Sequence, residues 1–222
     1  MKRIVLICAA AALCVFPMAQ AQSCDATKVL AQMDAASAKF QSTQADFKWD
    51  VLQSVVNEHD VQSGTVYFER HGDSTSMAAY IKQPGEKTVF YNGTTLTLLQ
   101  PEIKQETLFS ANSQYESFLT LGFGGSGKNL QSNWTVLCQG MESIDGTQTA
   151  KLDLKPKQQS VANMFSHITI WIDPTRSLGL KQIFYEPSGD NRTATYTGIK
   201  YNTKISPDVF KPKDKGYTVI RK

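Results

Sequence analysis

The fold is indicated by residues 45–51, which read ADFKWDV. Apolar and charged side chains alternate along this stretch, and a period of two predicts a strand with one buried face. Similar strand patterns recur along the chain, at residues 65–70, 76–82, 87–91, 95–99, 134–139, 149–155, 167–173, 180–186, 193–201 and 217–220. Asn92-Gly93 predicts a hairpin turn between two of them. Short strands at this spacing predict an antiparallel barrel or sandwich.

Helical patterns are confined to three places. Residues 25–41 carry apolar side chains at helical spacing, residues 112–121 fit a short amphipathic helix, and residues 158–164 predict a short helical connection. The polar run that follows Pro101 predicts an edge strand or the end of one. We therefore expect a mainly β fold, a single curved antiparallel sheet whose open side is covered by an N-terminal helix and short helices.

The first 21 residues have the pattern of a secretory signal peptide. Lys2 and Arg3 precede an apolar run over residues 4–16, and Ala19-Gln20-Ala21 is a typical cleavage site. The run is too short for a membrane-spanning helix, which needs about 20 residues. Acylation at Cys24 is a weaker alternative, because the preceding residues lack a lipoprotein pattern. We predict an exported protein of the periplasm, with a single domain over residues 22–222.

Cleavage after Ala21 leaves two cysteines, Cys24 and Cys138. Two thiols in an oxidising compartment predict a disulfide, which would join the start of the first helix to a mid-chain strand. A metal site would need two more ligands, and the three histidines show no ligand spacing. No metal or cofactor is expected.

Composition narrows the possible partners. Apolar residues make up 41% of the 222 residues and charged residues 19%, which excludes a disordered or fibrous chain. Without Lys2 and Arg3, 21 basic residues face 20 acidic ones, so no basic surface for nucleic acid is expected. We expect a monomer that does not bind nucleic acid.

The glycine-rich stretch at residues 122–128 reads GFGGSGK and matches the spacing of a phosphate-binding loop. Asn129 stands where a hydroxyl should bind magnesium, and neither a buried strand nor a long helix is predicted beside the loop. The same stretch almost matches the nucleophile motif of serine hydrolases around Ser126, but Lys128 replaces the final glycine. A flexible loop that binds no nucleotide is the favoured interpretation.

The most distinctive feature is the large number of bulky apolar side chains on the predicted strands, with no evident catalytic group among them. Such side chains are usually core residues. The alternative is an interior that they do not fill and that holds a lipid. The residues predicted to line such a cavity are Phe47, Trp49, Val66, Phe68, Met77, Phe90, Leu96, Leu98, Phe118, Phe123, Trp171 and Phe184.

The mature chain resembles the outer-membrane lipoprotein carrier protein family (LolA-like) in several stretches that follow one another in the same order. The resemblance rests on the first helix and on six stretches, at residues 44–47, 64–70, 92–96, 152–157, 168–173 and 205–212. It implies an incomplete β-barrel, lidded by helices, around an apolar cavity. It also implies that Arg70 bonds the lid in the closed form. Family members usually follow this arginine with proline, and here His71 follows.

The resemblance also implies a function and partners. Carriers of this family take lipid-modified proteins from an inner-membrane export complex and pass them to an outer-membrane acceptor. The expected protein is thus a carrier of lipoproteins or other lipids and not an enzyme. A secreted hydrolase, whose catalytic groups would meet only in space, and a structural or interaction β-domain with a filled core are the competing hypotheses.

Overall fold

The computed structural model describes residues 24–72, 74–111 and 118–222. Twelve strands in these ranges form one sheet with the order β12-β6-β5-β4-β3-β2-β1-β11-β10-β9-β8-β7. They are β1 Ser42–Gln53, β2 Glu58–His71, β3 Ser74–Gln83, β4 Lys87–Tyr91, β5 Thr95–Gln100, β6 Gln105–Ser110, β7 Trp134–Ile144, β8 Thr147–Pro156, β9 His167–Asp173, β10 Leu178–Tyr185, β11 Asn191–Tyr201 and β12 Thr218–Arg221.

The sheet is curved and open, and it does not close into a barrel. Neighbouring strands pair antiparallel except β12, which adds to β6 in parallel. The mainly β prediction is therefore confirmed. The predicted signal peptide lies outside the described residues, as does the predicted helix at 112–121 apart from its last residues.

Three α-helices lie entirely within the described residues: α1 Ala26–Ser37, α2 Gly127–Asn133 and α3 Gln159–Ala162. The side chain of Asp25 caps α1 by accepting hydrogen bonds from the backbone N–H groups of Thr27 and Lys28. The hydroxyl of Ser126 caps α2 by accepting from Asn129 N–H. No helix of the described chain is long and apolar enough to cross a membrane.

The concave face of the sheet carries two apolar clusters. Ala194, Gln182 and Ile170 are paired across β11, β10 and β9, so their side chains share this face. The helix-covered cluster lies between β7–β10 and the three helices, and consists of Val29, Leu30, Met33, Leu121, Leu130, Trp134, Ala150, Leu152, Leu154, Val161, Phe165, Ile168, Ile170 and Ile172.

The loop-covered cluster lies against β1–β4, β10 and β11. The strands supply most of its side chains, and the loop that precedes α2 supplies Phe123. Its members are Phe40, Ala45, Phe47, Val66, Phe68, Met77, Ala79, Ile81, Tyr91, Phe123, Leu178, Ala194 and Tyr196. One half of the concave face is thus covered by helices and the other by a loop.

A third, smaller cluster lies on the convex face. Ala78, Phe90 and Leu99 are buried there beneath the C-terminal segment, which contributes Val209, Phe210 and Tyr217. A 3-10 turn at Pro207–Phe210 begins this contact, and the Tyr80 hydroxyl donates to the Val209 carbonyl oxygen over 2.8 Å. The segment then continues to β12 at the edge of the sheet.

Candidate functional site

The candidate site is the interior beneath the glycine loop, residues 121–126. The Phe123 ring lies parallel to the Phe68 ring, with 3.9 Å between centroids, and edge-on to Tyr196 at 4.9 Å. Phe123 and Phe68 are each 2% exposed. The ring therefore fills the centre of the loop-covered cluster.

One side of the glycine loop is bonded to β10 and to the turn before it. Gly124 N–H donates to the Ser177 carbonyl oxygen over 2.9 Å, and Gly179 N–H donates to that of Gly122 over 2.7 Å. The Gln182 side chain donates to the Leu121 carbonyl oxygen over 2.6 Å. The sequence predicted a flexible loop here, and the structure shows a loop held by backbone hydrogen bonds.

Arg70 fastens the opposite side of the loop. Its guanidinium donates to the Ser37 carbonyl oxygen over 2.8 Å and to the Gly124 carbonyl oxygen. The Ser37 hydroxyl also donates to Gly124, over 2.7 Å. The guanidinium carbon lies 5.4 Å from the centroid of the Phe40 ring, within the range of a cation–π contact. Arg70 thus joins β2, the end of α1 and the loop at one point.

Gly124 has to be glycine in this arrangement. Its φ of +75° is a conformation that other residues rarely adopt, and an added Cβ would lie 2.2 Å from the Phe40 ring. The resemblance to a phosphate-binding loop therefore has a packing explanation. Lys128 N–H donates to Asp34 over 3.1 Å, which ties the start of α2 to α1.

The structure brings most of the predicted cavity residues to the concave interior. Phe47, Val66, Phe68, Met77 and Phe123 are buried in the loop-covered cluster, and Trp49 and Leu96 pack against it half-buried. Leu98 shares the strand face of Leu96. Phe118 and Phe184 pack against the helix-covered cluster instead.

Two of the predicted cavity residues lie on the convex face, so their assignment to the cavity is wrong. Phe90 pairs with Ala78 and is covered by the C-terminal segment. Trp171 alternates with Ile170 and Ile172, which point inward, and its indole lies near the ammonium groups of Lys151 and Lys181. Both residues occur in strands that are buried on both faces. In such strands the alternation of apolar and polar residues is lost, so the sequence does not show which face points to the interior.

Within the part of the chain that the structure describes, a pocket of about 430 Å³ with both polar and apolar walls lies between the glycine loop, α1 and α2. Aliphatic side chains and amides line it together, and Phe123 and Arg70 are the only predicted site residues at its border. Its lining includes Met33, Arg70, Leu121, Phe123, Asn129, Leu130, Asn133, Gln158, Ile170 and Ile172. The more apolar volume nearby is occupied by Phe123 itself.

Burial also affects a tyrosine beneath the loop. Burial raises the pKa of the Tyr196 hydroxyl well above its ordinary value, and this hydroxyl lies 3.4 Å from the Gln182 side-chain oxygen. The phenol is neutral at physiological pH, so the interior below Phe123 carries no charge from this side chain.

The disulfide joins Cys24 to Cys138, with 5.7 Å between their Cα atoms. This distance is ordinary for a disulfide. The bond ties the start of α1 to β7, so the helix-covered half has a covalent anchor. Among the described residues, no group of three or more metal-ligating side chains is close enough to hold a metal ion.

A hydrolase would need a nucleophile and a base in contact. Ser166 lies 3.2 Å from His167 Nδ1, and His167 Nε2 lies 3.9 Å from Asp153. The Ser166 hydroxyl, however, donates to the Tyr185 carbonyl oxygen over 3.1 Å. His167 and Asp153 point to the convex face, outside both described pockets. The arrangement does not form a catalytic triad.

Solved structures share this fold at low sequence identity. An uncharacterized conserved protein from Thermus thermophilus is similar at 11% identity, with a TM-score of 0.58 over 89% of this chain and 99% of that chain. MucB in the MucA/MucB complex of Pseudomonas aeruginosa is similar at 14% identity, with a TM-score of 0.53 over 85% of this chain and 61% of that chain.

A search of curated protein sequences found no match. The sequence model of one family matches residues 38–213, which include all twelve of the predicted cavity residues and Arg70. The model describes the outer membrane lipoprotein carrier protein LolA, and its match spans most of the chain. The chain therefore belongs to the LolA family of outer membrane lipoprotein carrier proteins.

Proposed function

We propose that this protein is a periplasmic carrier that binds the acyl chains of lipid-modified proteins, or of other lipids, in its concave interior. The observation that carries this proposal is the position of Phe123. One aromatic ring on a fastened loop fills the space above Phe68 and Tyr196, where an acyl chain would find mainly aromatic and aliphatic surface. Moving the loop would exchange the ring for the ligand.

The arrangement of hydrogen bonds supports an opening about β10. Ser177, Gly179 and Gln182 hold one side of the loop, whereas Arg70 and Ser37 hold the other. Releasing the Arg70 side leaves the β10 side as a hinge. The guanidinium then serves as the fastening of the closed, unliganded form.

The energetics suit a carrier. Each methylene removed from water contributes about 0.8 kcal/mol. Partial burial of one acyl chain is therefore enough to keep it in solution. Refilling the interior with Phe123 offsets part of that gain, because the ring regains its contacts when the ligand leaves. Such competition favours release to a partner.

Family membership supports the route and the partners. We propose that an inner-membrane export complex supplies the cargo and that an outer-membrane acceptor receives it, as the family's description as lipoprotein carriers suggests. The structural relative MucB forms a complex with the protein MucA, so this fold also accommodates a protein partner. Cargo binding and partner binding are both consistent with a protein that performs no catalysis.

The test is the binding of a palmitoylated peptide to the wild type and to Arg70→Leu. Removing the guanidinium destabilises only the closed form, by about 1–2 kcal/mol. We expect Arg70→Leu to bind the peptide about tenfold more tightly and to release it correspondingly more slowly. Arg221→Leu, a change of an exposed arginine on β12, is the matched control and should behave as wild type.

Two results would count against the proposal. If the wild type binds no palmitoylated peptide, the carrier function fails. If it binds the peptide and Arg70→Leu changes neither affinity nor release, the interior can still be the binding site, but Arg70 is not its fastening.

A further inference from the structure

The two ends of the concave face differ in how their cover is held. At the Arg70 end, the guanidinium and the glycine loop border the pocket of about 430 Å³ and are joined to each other by hydrogen bonds. The opposite end, here called the far end, lies beside the turns at residues 54–57 and 186–190. Along β1, inward-facing Ala45 and Phe47 are buried, whereas Trp49 and Val51 are half-exposed. The apolar surface of the interior therefore becomes accessible toward the far end.

Three aromatic rings lie at the far end, where Phe165 belongs to the helix-covered cluster and Phe118 and Phe184 pack against it. The centroids of Phe118 and Phe165 are 5.7 Å apart, and those of Phe165 and Phe184 are 5.3 Å apart. Beside them lies an open pocket of about 450 Å³, a volume within the usual range for small-molecule sites. It is lined by Phe118, Asn163, Met164, Phe165, Glu186, Pro187, Ser188 and Arg192.

The charges at the rim of this pocket neutralise each other. Arg192 donates to the Glu186 carboxylate over 2.7 Å. The walls otherwise consist of rings, Met164, Pro187 and small polar groups. A pocket of this kind suits an apolar chain whose polar end carries no net charge. A charged end would find no unpaired opposite charge at the rim, because Arg192 and Glu186 already pair with each other.

Ligand entry would involve different contacts at the two ends. At the Arg70 end, a ligand has to break the hydrogen bonds of Arg70 and Ser37 to the loop. At the far end, it meets half-buried side chains such as Met164, which is flexible and can change rotamer. Inward from there, the rings of Trp49 and Phe47, 5.0 Å apart, continue the apolar surface to the loop-covered cluster.

We propose that the far-end pocket is a binding site for the acyl chain of an amide- or ester-linked acyl group, and that ligands enter the interior there. This inference rests on the proposed function and adds a route to it. The linkage and the polar part of the ligand remain in solvent beside Glu186 and Arg192. The chain passes the aromatic rings toward Phe123. Entry is then independent of Arg70, which controls retention.

Stopped-flow association of a dansyl-labelled palmitoyl peptide tests the route. We expect Met164→Asp to slow association at least about tenfold, because it places a carboxylate in the path of the chain. The matched control is Leu137→Asp, which makes the same kind of change at a leucine that is 60% exposed on the convex side of β7. The control should associate at the wild-type rate.

A photo-cross-linking measurement on the wild type avoids any folding defect in the variant. A palmitoyl peptide with a diazirine near the carbonyl end of its chain should label Met164, Phe165 or Pro187, as located by mass spectrometry. Labelling of Gly72 or Thr75, which line the pocket at the Arg70 end, would overturn the proposal. So would association of Met164→Asp at the wild-type rate. Failure of the wild type to bind the peptide at all would instead overturn the proposed function.

Discussion

The two apolar clusters of the concave face use similar side chains but are covered in different ways. The helix-covered cluster is enclosed by α1, α2 and α3, and the disulfide from Cys24 to Cys138 anchors the first of them to β7. The loop-covered cluster is closed by Phe123, on a loop that Arg70 fastens. The first arrangement suits a permanent core, which borders the proposed entry pocket only at its edge, at Phe165. The second suits an interior that exchanges its contents.

The largest expected effect is a difference between two truncations. Ile170→Ala leaves a cavity that the helices cannot fill, and we expect a loss of about 4 kcal/mol in the free energy of unfolding. Phe123→Ala removes a larger side chain, yet the loop can move inward, so we expect a loss of about 2 kcal/mol. Urea denaturation measures both values. Equal losses, or a greater loss for Phe123→Ala, would remove the distinction between the clusters.

The disulfide provides the second comparison. Its cysteines are 114 positions apart, and opening a bond that closes so long a loop costs about 2–4 kcal/mol. We expect reduction to lower the unfolding free energy by that amount. The double variant Cys24→Ser/Cys138→Ser should show the same loss and no further response to reductant. Because the bond anchors the helix-covered half, release of palmitoyl peptide should stay unchanged; faster release would show that α1 takes part in opening.

Much of this organisation is predictable from the sequence, and the exceptions have physical causes. The alternation in β1 predicts that strand, and the short runs of β4 and β9, each followed by turn residues, are predicted to the residue. β6 is harder to predict because Gln105, Glu106 and Thr107 are polar. Pairing with β12, which the residues of β6 do not reveal, makes β6 an inner strand of the sheet. Helix α2 follows a glycine-rich stretch and has only seven residues, too few to show a period.

The candidate site is less predictable than the fold. Val66 and Phe68 share a face with Arg70, and this two-residue period indicates an arginine at the rim of the interior. No local pattern predicts that Phe123 stacks on Phe68, because the two residues are far apart in sequence and meet only through the closed loop. The prediction places Phe90 and Trp171 on the wrong face of the sheet. Phe90 is covered on the convex face by the C-terminal segment, and Trp171 is covered there by lysine side chains, which the local pattern of either strand does not reveal.

A smaller effect is expected where α2 meets α1. A Cβ at Gly127 would lie 2.2 Å from the Leu30 carbonyl oxygen, so Gly127→Ala has to separate the two helices. We expect it to lower the unfolding free energy by about 1–3 kcal/mol. Gly125→Ala is the matched control, because nothing lies within 4 Å of its added Cβ. Thermal denaturation should show a lower midpoint only for Gly127→Ala; equal midpoints would mean that the helical cover is looser than its geometry indicates.

The smallest expected effect is a pH dependence beneath the loop. Burial raises the pKa of Tyr196 above its ordinary value of about 10, so the folded protein disfavours the ionised phenol. The contribution to stability is fully present below pH 10 or so and declines as pH rises further, because the unfolded chain then releases a proton that the folded chain retains. We expect Tyr196→Phe to change stability at pH 7 by less than about 1 kcal/mol and to weaken its decline between about pH 9.5 and 11. Ultraviolet difference spectroscopy provides the companion measurement, since the Tyr196 phenol should titrate at lower pH in Arg70→Leu if the loop opens and water reaches it. An identical alkaline titration in both proteins would show that Phe123 stays in place without Arg70, and the two halves would then be equally permanent.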